Sequence, residues 1–170
     1  NATNTNARVG LGEAYIAAGQ YQDAEDTARA AVAADPKYYG SYGLLAQALR
    51  ENIKEEESLE AFETMLQMNP ASVSGNSNMG TLLHKMKKYE EAEFRLNKAI
   101  ALNPNHQNSY YNLGLVLHAQ SDKRYADALR AAASCVAIDP GFANPWYNIG
   151  RLFRELGRHY DSLAALHRYQ

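Results

Sequence analysis

The chain has few of the residues that cross-link small folds or that form common catalytic and metal sites. Cys135 is the single cysteine among 170 residues, which excludes an internal disulfide and a zinc site built on several cysteines. It fits a reducing compartment such as the cytoplasm and is equally compatible with a periplasm. No apolar run approaches the roughly 18 residues that span a bilayer, and no signal peptide is visible. We therefore expect no membrane insertion, and the localisation stays open.

An excess of charge of one sign is also absent. The sequence has 17 Lys and Arg against 19 Asp and Glu, a formal net charge of −2, so no global field would attract nucleic acid. No phosphate-binding glycine loop or catalytic triad signature is present. His84 and His118 have no carboxylate or cysteine nearby in the pattern, which makes a poor metal site. We expect no nucleic-acid partner, no metal, no cofactor and no enzymatic activity from this segment.

Proline is scarce as well, but each of the five prolines follows Asp or Asn, and four of them recur at a regular spacing. These four are Pro36, Pro70, Pro104 and Pro140, which lie 34, 34 and 36 residues apart. A fixed period of this size indicates one supersecondary unit that is copied and stacked. Such a solenoid offers a long open surface instead of an enclosed pocket, so binding is the expected kind of function.

Other positions repeat in register with the prolines. The clearest column pairs an apolar residue with a small one and includes Leu11-Gly12, Met79-Gly80, Leu113-Gly114 and Ile149-Gly150. With its Tyr, Ala and Pro columns, this pattern resembles the tetratricopeptide repeat (TPR). The resemblance implies an all-α fold, a right-handed TPR superhelix of stacked antiparallel helix pairs. We expect a single array over residues 1–170, with repeats at 5–38, 39–72, 73–106, 107–142 and a truncated 143–170.

Apolar residues recur at helical spacing in two blocks within each repeat. They predict helix pairs at 5–18 with 22–34, 39–52 with 55–68, 73–86 with 90–102, 107–120 with 125–138 and 143–156 with 159–169. Glycine inside a helix costs about 1 kcal/mol relative to alanine, so a repeated glycine needs a repeated reason. We expect close approach of the paired helix, with Ala24, Ala92 and Ala128 facing the glycines.

The resemblance implies that the first helix of each pair lines the concave surface of the array. The candidate peptide-binding residues are the polar and aromatic ones that this places in the groove. They are Asn78, His84 and Lys85 in the third repeat; Asn108, Tyr111, Asn112 and His118 in the fourth; and Asn144, Tyr147, Asn148, Arg151 and Arg154 in the fifth. The tyrosines would act as anchors, and the basic residues favour an acidic segment.

Asn78, Asn112 and Asn148 occupy one column, and this column resembles the asparagine ladder in the TPR superhelix of O-linked N-acetylglucosamine transferase. A side-chain amide offers donors and an acceptor, so it can hold a peptide backbone whatever its side chains are. Three such hydrogen bonds give at most roughly 4.5 kcal/mol. Micromolar binding needs about 8.2 kcal/mol, so the anchors and the charges must supply the rest.

The sequence leaves several functions open. The favoured one is a protein–protein interaction scaffold that binds an extended peptide segment of a partner. The alternatives are the substrate-recognition arm of a larger enzyme such as a glycosyltransferase, a bacterial pilus or secretion assembly protein of the pilot type, and a self-associating scaffold. Self-association would use uncapped ends, because Leu163 and Leu166 lie in a last helix that no polar capping helix follows.

Overall fold

The computed structural model describes residues 2–120 and 124–168, and the side chains of residues 2, 3, 160 and 163 lie outside the description. Within these ranges the chain forms ten α-helices and no strand. The helices are α1 (Ala2–Ala17), α2 (Tyr21–Ala34), α3 (Tyr39–Glu51), α4 (Glu55–Met68), α5 (Val73–Lys85), α6 (Tyr89–Leu102), α7 (Gln107–Gln120), α8 (Tyr125–Ile138), α9 (Ala143–Glu155) and α10 (His159–His167). Each predicted helix is present, with ends within three residues of the predicted ones.

The Asp-Pro and Asn-Pro pairs end helices by a specific device. Asp35, Asn103 and Asp139 follow the last residues of α2, α6 and α8 in non-helical conformations, as expected before proline. Each side-chain Oδ1 accepts a hydrogen bond from the backbone N–H two residues ahead, at 3.1, 3.0 and 2.9 Å. This local turn satisfies a backbone donor outside the helix, so the period seen in the sequence is a period of helix stops.

The close approach predicted at the helix glycines is confirmed in one repeat and differs in another. A Cβ built on Gly114 would lie 3.4 Å from the carbonyl oxygen of Ala128 in α8, the predicted neighbour. On Gly12 it would clash with a Leu44 side-chain carbon in α3. The nearest neighbour there belongs to the first helix of the next repeat, because the bulky Leu44 fills the space that the glycine leaves.

Contacts divide the chain into two compact units, Asn1–Leu82 and Leu83–Gln170, here called the first and second units. The expectation of one array over the whole chain stays a prediction. The core of the first unit includes Ala24, Ala28, Leu44 and Phe62, each at most 2% exposed. Small residues let paired helices approach closely, and the larger side chains fill the space between pairs.

In the second unit Ala132, Ile149 and Ala165 form a buried cluster, and the partly buried Trp146 and Phe153 pack against it. In the same unit Leu166 is half-buried and packs on α9 at Gly150, where a Cβ would meet it at 2.8 Å. The side chain of Leu163, predicted to be exposed with it, lies outside the described residues.

Candidate functional site

The predicted peptide-binding residues lie on α5, α7 and α9. Asn78 belongs to the first unit and the other eleven to the second. On the second unit Asn108 and Asn144 are exposed near the starts of α7 and α9, Arg154 is exposed near the end of α9, and Lys85 is exposed at the end of α5. Asn112 and Asn148, the two ladder residues of this unit, are half-buried. Because Asn78 lies in the other unit, the three-residue ladder stays a prediction.

Four of the predicted residues line one pocket between α7 and α9. They are Tyr111 and His118 from α7 and Asn148 and Arg151 from α9. The rest of the lining is apolar and consists of Gly114, Leu115, Ala132 and Leu152. The helical repeat explains this convergence, because residues three, four and seven positions apart share one face of a helix.

Tyr111 and His118 are held in place by aromatic neighbours. The Tyr111 ring meets the Phe142 ring edge-on, with the centroids 5.5 Å apart. The His118 ring lies 5.6 Å from Tyr125. His84 makes the equivalent contact with Tyr89 at 5.9 Å, and burial lowers the pKa of His84. A lowered pKa favours the neutral ring, so His84 is a weaker source of positive charge than its place in the sequence pattern predicted.

The two arginines of α9 differ from three other arginines of the second unit. Arg124 is bound to Glu93 and Asp127, Arg130 to Asp127, and Arg158 to Asp161. Arg151 and Arg154 make no ion pair with any described residue. Helix α7 carries no Asp or Glu, and Glu155 is the single acidic residue of α9. This face therefore carries positive charge that the described part of the chain does not neutralise.

The sequence pattern did not predict the ion-pair network around the buried Glu25 of the first unit. Glu25 in α2 is 2% exposed and accepts hydrogen bonds from Arg29 at 2.8 Å, Asn52 at 2.6 Å and Lys54 at 2.8 Å. Burial acts to raise the pKa of Glu25, but the bonds from Lys54, Arg29 and Asn52 outweigh it and lower the pKa to about 2. Its partners at 52 and 54 lie in the next repeat, so only stacking brings the network together.

The second unit has a looser counterpart of this network. Glu93 in α6 pairs with Arg124, which precedes α8, at 2.6 Å. The two side chains are 22% and 32% exposed. The signal available in the sequence was an acidic residue about 30 positions before a basic residue at a hairpin turn, present in the first and third repeats.

Other chemistry finds little support in the described residues. Burial and, to a lesser extent, Asp139 raise the pKa of the Cys135 thiol to about 11, which keeps it protonated and makes it a poor nucleophile. Among residues 2–120 and 124–168, no group of three or more His, Cys, Asp or Glu is arranged to hold a metal ion. No helix in these ranges is long and apolar enough to cross a membrane.

Antiparallel helix pairs at a 34-residue period define the class of helical-repeat proteins. Family models described as "Tetratricopeptide repeat" and "TPR repeat" match residues 9–73 and 80–121, which together exceed half of the chain. The chain therefore belongs to the TPR family, as the sequence pattern predicted. No curated protein sequence matches it significantly.

Solved structures agree with this assignment. The chain is similar to pilF from Pseudomonas aeruginosa, with a TM-score of 0.90 and 22% identity over 97% of this chain and 74% of that one. MamA from Desulfovibrio magneticus RS-1 gives 0.84 and 17% over 97% and 92%. YrrB, a TPR protein with an unusual peptide-binding site, gives 0.74 and 20% over 95% and 82%. These likenesses confirm the predicted fold class, and TPR scaffolds typically mediate protein–protein interaction.

Proposed function

We propose that the chain is a TPR interaction module that binds an extended, acidic segment of a partner protein on the face formed by α7 and α9. The observation that carries the proposal is the unpaired charge of Arg151 and Arg154. Arginine with a carboxylate makes strong, often bidentate bonds. An arginine pair with no acidic partner among the described residues is therefore suited to a carboxylate from outside.

The pocket between the two helices supports the same face. Asn148 lines the pocket and makes no hydrogen bond with another described residue, so its amide can bind a peptide backbone. Tyr111 supplies a ring of the type found at binding hot spots. The peptide-binding site of the similar protein YrrB supports the proposal at the level of the fold. The roles of Asn78, His84 and Lys85 remain predictions.

The expected affinity agrees with a binding site to which several residues contribute. One hydrogen bond contributes about 0.5–1.5 kcal/mol, and one to a charged group about 1.5–3 kcal/mol. Bonds from Asn148 together with contacts to two arginines therefore approach the roughly 8 kcal/mol of a micromolar complex. Without the arginines the sum falls well short, which is why the charge carries the proposal.

The other predicted functions remain predictions. A recognition arm of a larger enzyme, a pilus or secretion assembly protein and a self-associating scaffold would each use a TPR array. The likeness to pilF is 22% identical and concerns the fold. No feature of the described residues favours one of these three over the peptide-binding role.

Site-specific photo-crosslinking tests the proposed face in the cells that produce the protein. A photoreactive amino acid replaces Asn144, which is exposed on α9, or Ala133, which is exposed on α8. We expect a discrete partner adduct from position 144 that Arg151→Glu abolishes, and none from position 133. Adducts of equal yield from both positions, or none from position 144, would contradict the proposal.

A further inference from the structure

We propose that the pocket between α7 and α9 selects one small apolar side chain, of the size of alanine, next to the carboxylate that Arg151 binds. This inference rests on the proposed function and specifies the partner segment further. It concerns the eight lining residues of that pocket. Two independent features of that pocket, its volume and the rigidity of its walls, carry the argument.

The pocket is small. Its cavity volume is about 10 Å³, close to the roughly 10–15 Å³ needed to accommodate one water-sized group. A methyl group is of similar size, whereas a leucine or phenylalanine side chain is several times larger. The pocket therefore accommodates the side chain of alanine and rejects bulky anchors unless its walls move.

Most of the lining is apolar, which favours a methyl group over water. Gly114, Ala132 and Leu152 are buried, and Leu115 is half-buried beside them. These four residues offer no polar side chain, so a bound water, which needs two to four polar partners, would depend on the other lining residues Tyr111, His118, Asn148 and Arg151. A methyl group in the same place gains the contacts that an empty apolar space lacks.

The walls are fixed by packing on their far sides. Ala132 belongs to the buried cluster of the second unit, and Leu152 is 2% exposed. The Tyr111 ring is held against Phe142. Moving such residues to admit a larger side chain forces strained rotamers and backbone shifts. Leu115 is the exception, because it is half-exposed and its replacement disturbs the core least.

Arg151 adds a second requirement beside the pocket. It lines the same pocket as Leu115 and Asn148, and no described residue neutralises its guanidinium. A carboxylate on the residue next to the small side chain would come within its reach. The expected motif is alanine, or a residue as small, adjacent to Asp or Glu in an extended segment.

A random dodecapeptide library displayed on phage tests the motif with a defined probe. The wild-type chain selects binders, and labelled copies of the enriched peptides are titrated by fluorescence anisotropy. We expect enrichment of a small residue next to Asp or Glu. Replacing that small residue by leucine should weaken binding about tenfold or more, which is the effect of a methylene-scale misfit in a tight apolar pocket.

Two protein variants make the test specific. Leu115→Ala enlarges the pocket and should recover most of the affinity for the leucine peptide. Arg151→Glu should lose the acidic peptide and bind the version that carries Lys in place of the acid. Arg130→Glu is the matched control and should change neither affinity, because Arg130 lies on α8, is 81% exposed and pairs with Asp127. Circular dichroism verifies the helix content of each variant.

The outcomes separate the two proposals. Equal wild-type affinity for the alanine and leucine peptides, with binding still lost in Arg151→Glu, would overturn the pocket inference and leave the proposed function standing. Enrichment of bulky residues beside the acid would overturn it in the same way. Peptides that bind Arg151→Glu as tightly as the wild type would overturn the proposed function itself.

Discussion

The two units share one repeat but differ in what they bury. Seven polar or charged residues are buried in the first unit, namely Thr5, Glu25, Ser41, Ser58, Ser72, Asn76 and Ser77, and only Ser109 and Ser162 are buried in the described part of the second. Three buried side-chain atoms of the first unit, on Thr5, Ser41 and Asn76, have no hydrogen-bond partner in the described part of the chain. Buried polar groups lower stability unless they are paired, so the first unit depends on its internal bonds more than the second does.

The units also differ in where their charges go. Helices α2 and α4 of the first unit carry eight Asp and Glu and the single cation Arg29, which binds Glu25 and Glu57. On α9 of the second unit, Arg151 and Arg154 have no ion pair with a described residue. Charge is therefore mainly negative on α2 and α4 and mainly positive on α9.

The largest expected effect comes from removing one partner of the buried carboxylate. Lys54→Ala should lower the free energy of unfolding by about 2–3 kcal/mol, because Glu25 stays buried with fewer hydrogen bonds. Arg124→Ala is the matched change in the second unit and should cost about 1 kcal/mol or less, since Glu93 is exposed enough to be hydrated. Urea denaturation at pH 7 measures both. Equal losses of unfolding free energy in the two variants would contradict the predicted difference between the two ion-pair networks.

These networks also show how far the sequence predicts the fold and the site. The proline spacing predicted the repeats and the apolar blocks predicted all ten helices, because helix stops and helical periodicity are local properties of the chain. The TPR resemblance placed Tyr111, His118, Asn148 and Arg151 on one surface, because helical periodicity fixes the face. Ion pairing is not local: Glu25 and Lys54 meet only once neighbouring repeats stack. Sequence therefore did not reveal that Arg124 is paired and Arg151 is not.

Acid should remove the stabilisation that Glu25 provides. The pKa of Glu25 is about 2 in the folded chain against an ordinary value of 4.5, so this stability is fully present above about pH 4.5. It declines as the pH falls from there through about 2. Between pH 5 and pH 3, the wild type should lose about 1–2 kcal/mol more than Glu25→Gln. Urea unfolding at several pH values checks this, and parallel curves for the two proteins would contradict it.

One substitution should have opposite signs in the two units. Ser41 and Ser109 occupy equivalent positions two repeats apart, and both are 0% exposed. The Ser41 hydroxyl has no hydrogen-bond partner among the described residues, whereas the Ser109 hydroxyl bonds His106 Nδ1 at 2.7 Å. Ser41→Ala should raise the free energy of unfolding by about 0.5–1 kcal/mol and Ser109→Ala should lower it by about 1 kcal/mol. Thermal denaturation of both variants measures these changes in stability. Shifts of Tm in the same direction for the two variants would contradict the predicted opposite signs.

The smallest expected effect is at the hairpin turns. Ile53 in the first unit and Lys87 in the second have φ values of 61° and 60°, where the equivalent Gly19 has 73°. The left-handed conformation costs a residue with a side chain about 1–2 kcal/mol. Replacing that residue with glycine removes this cost, but the larger conformational entropy that glycine loses on folding offsets part of the gain. Ile53→Gly should gain about 0.5–1 kcal/mol and Lys87→Gly less, because isoleucine is β-branched. Urea denaturation measures both, and a loss at Ile53 would show that its exposed side chain makes a stabilising contact.

The most direct test of the central claim is a map of the partner segment on the protein. Backbone amide shifts in ¹⁵N-labelled protein are followed while the segment identified by crosslinking is added. The account predicts that the largest shifts lie in residues 108–118 and 144–154, on α7 and α9. It predicts none on α2 and α4 of the first unit. Largest shifts on α2 and α4, with α7 and α9 unchanged, would contradict it.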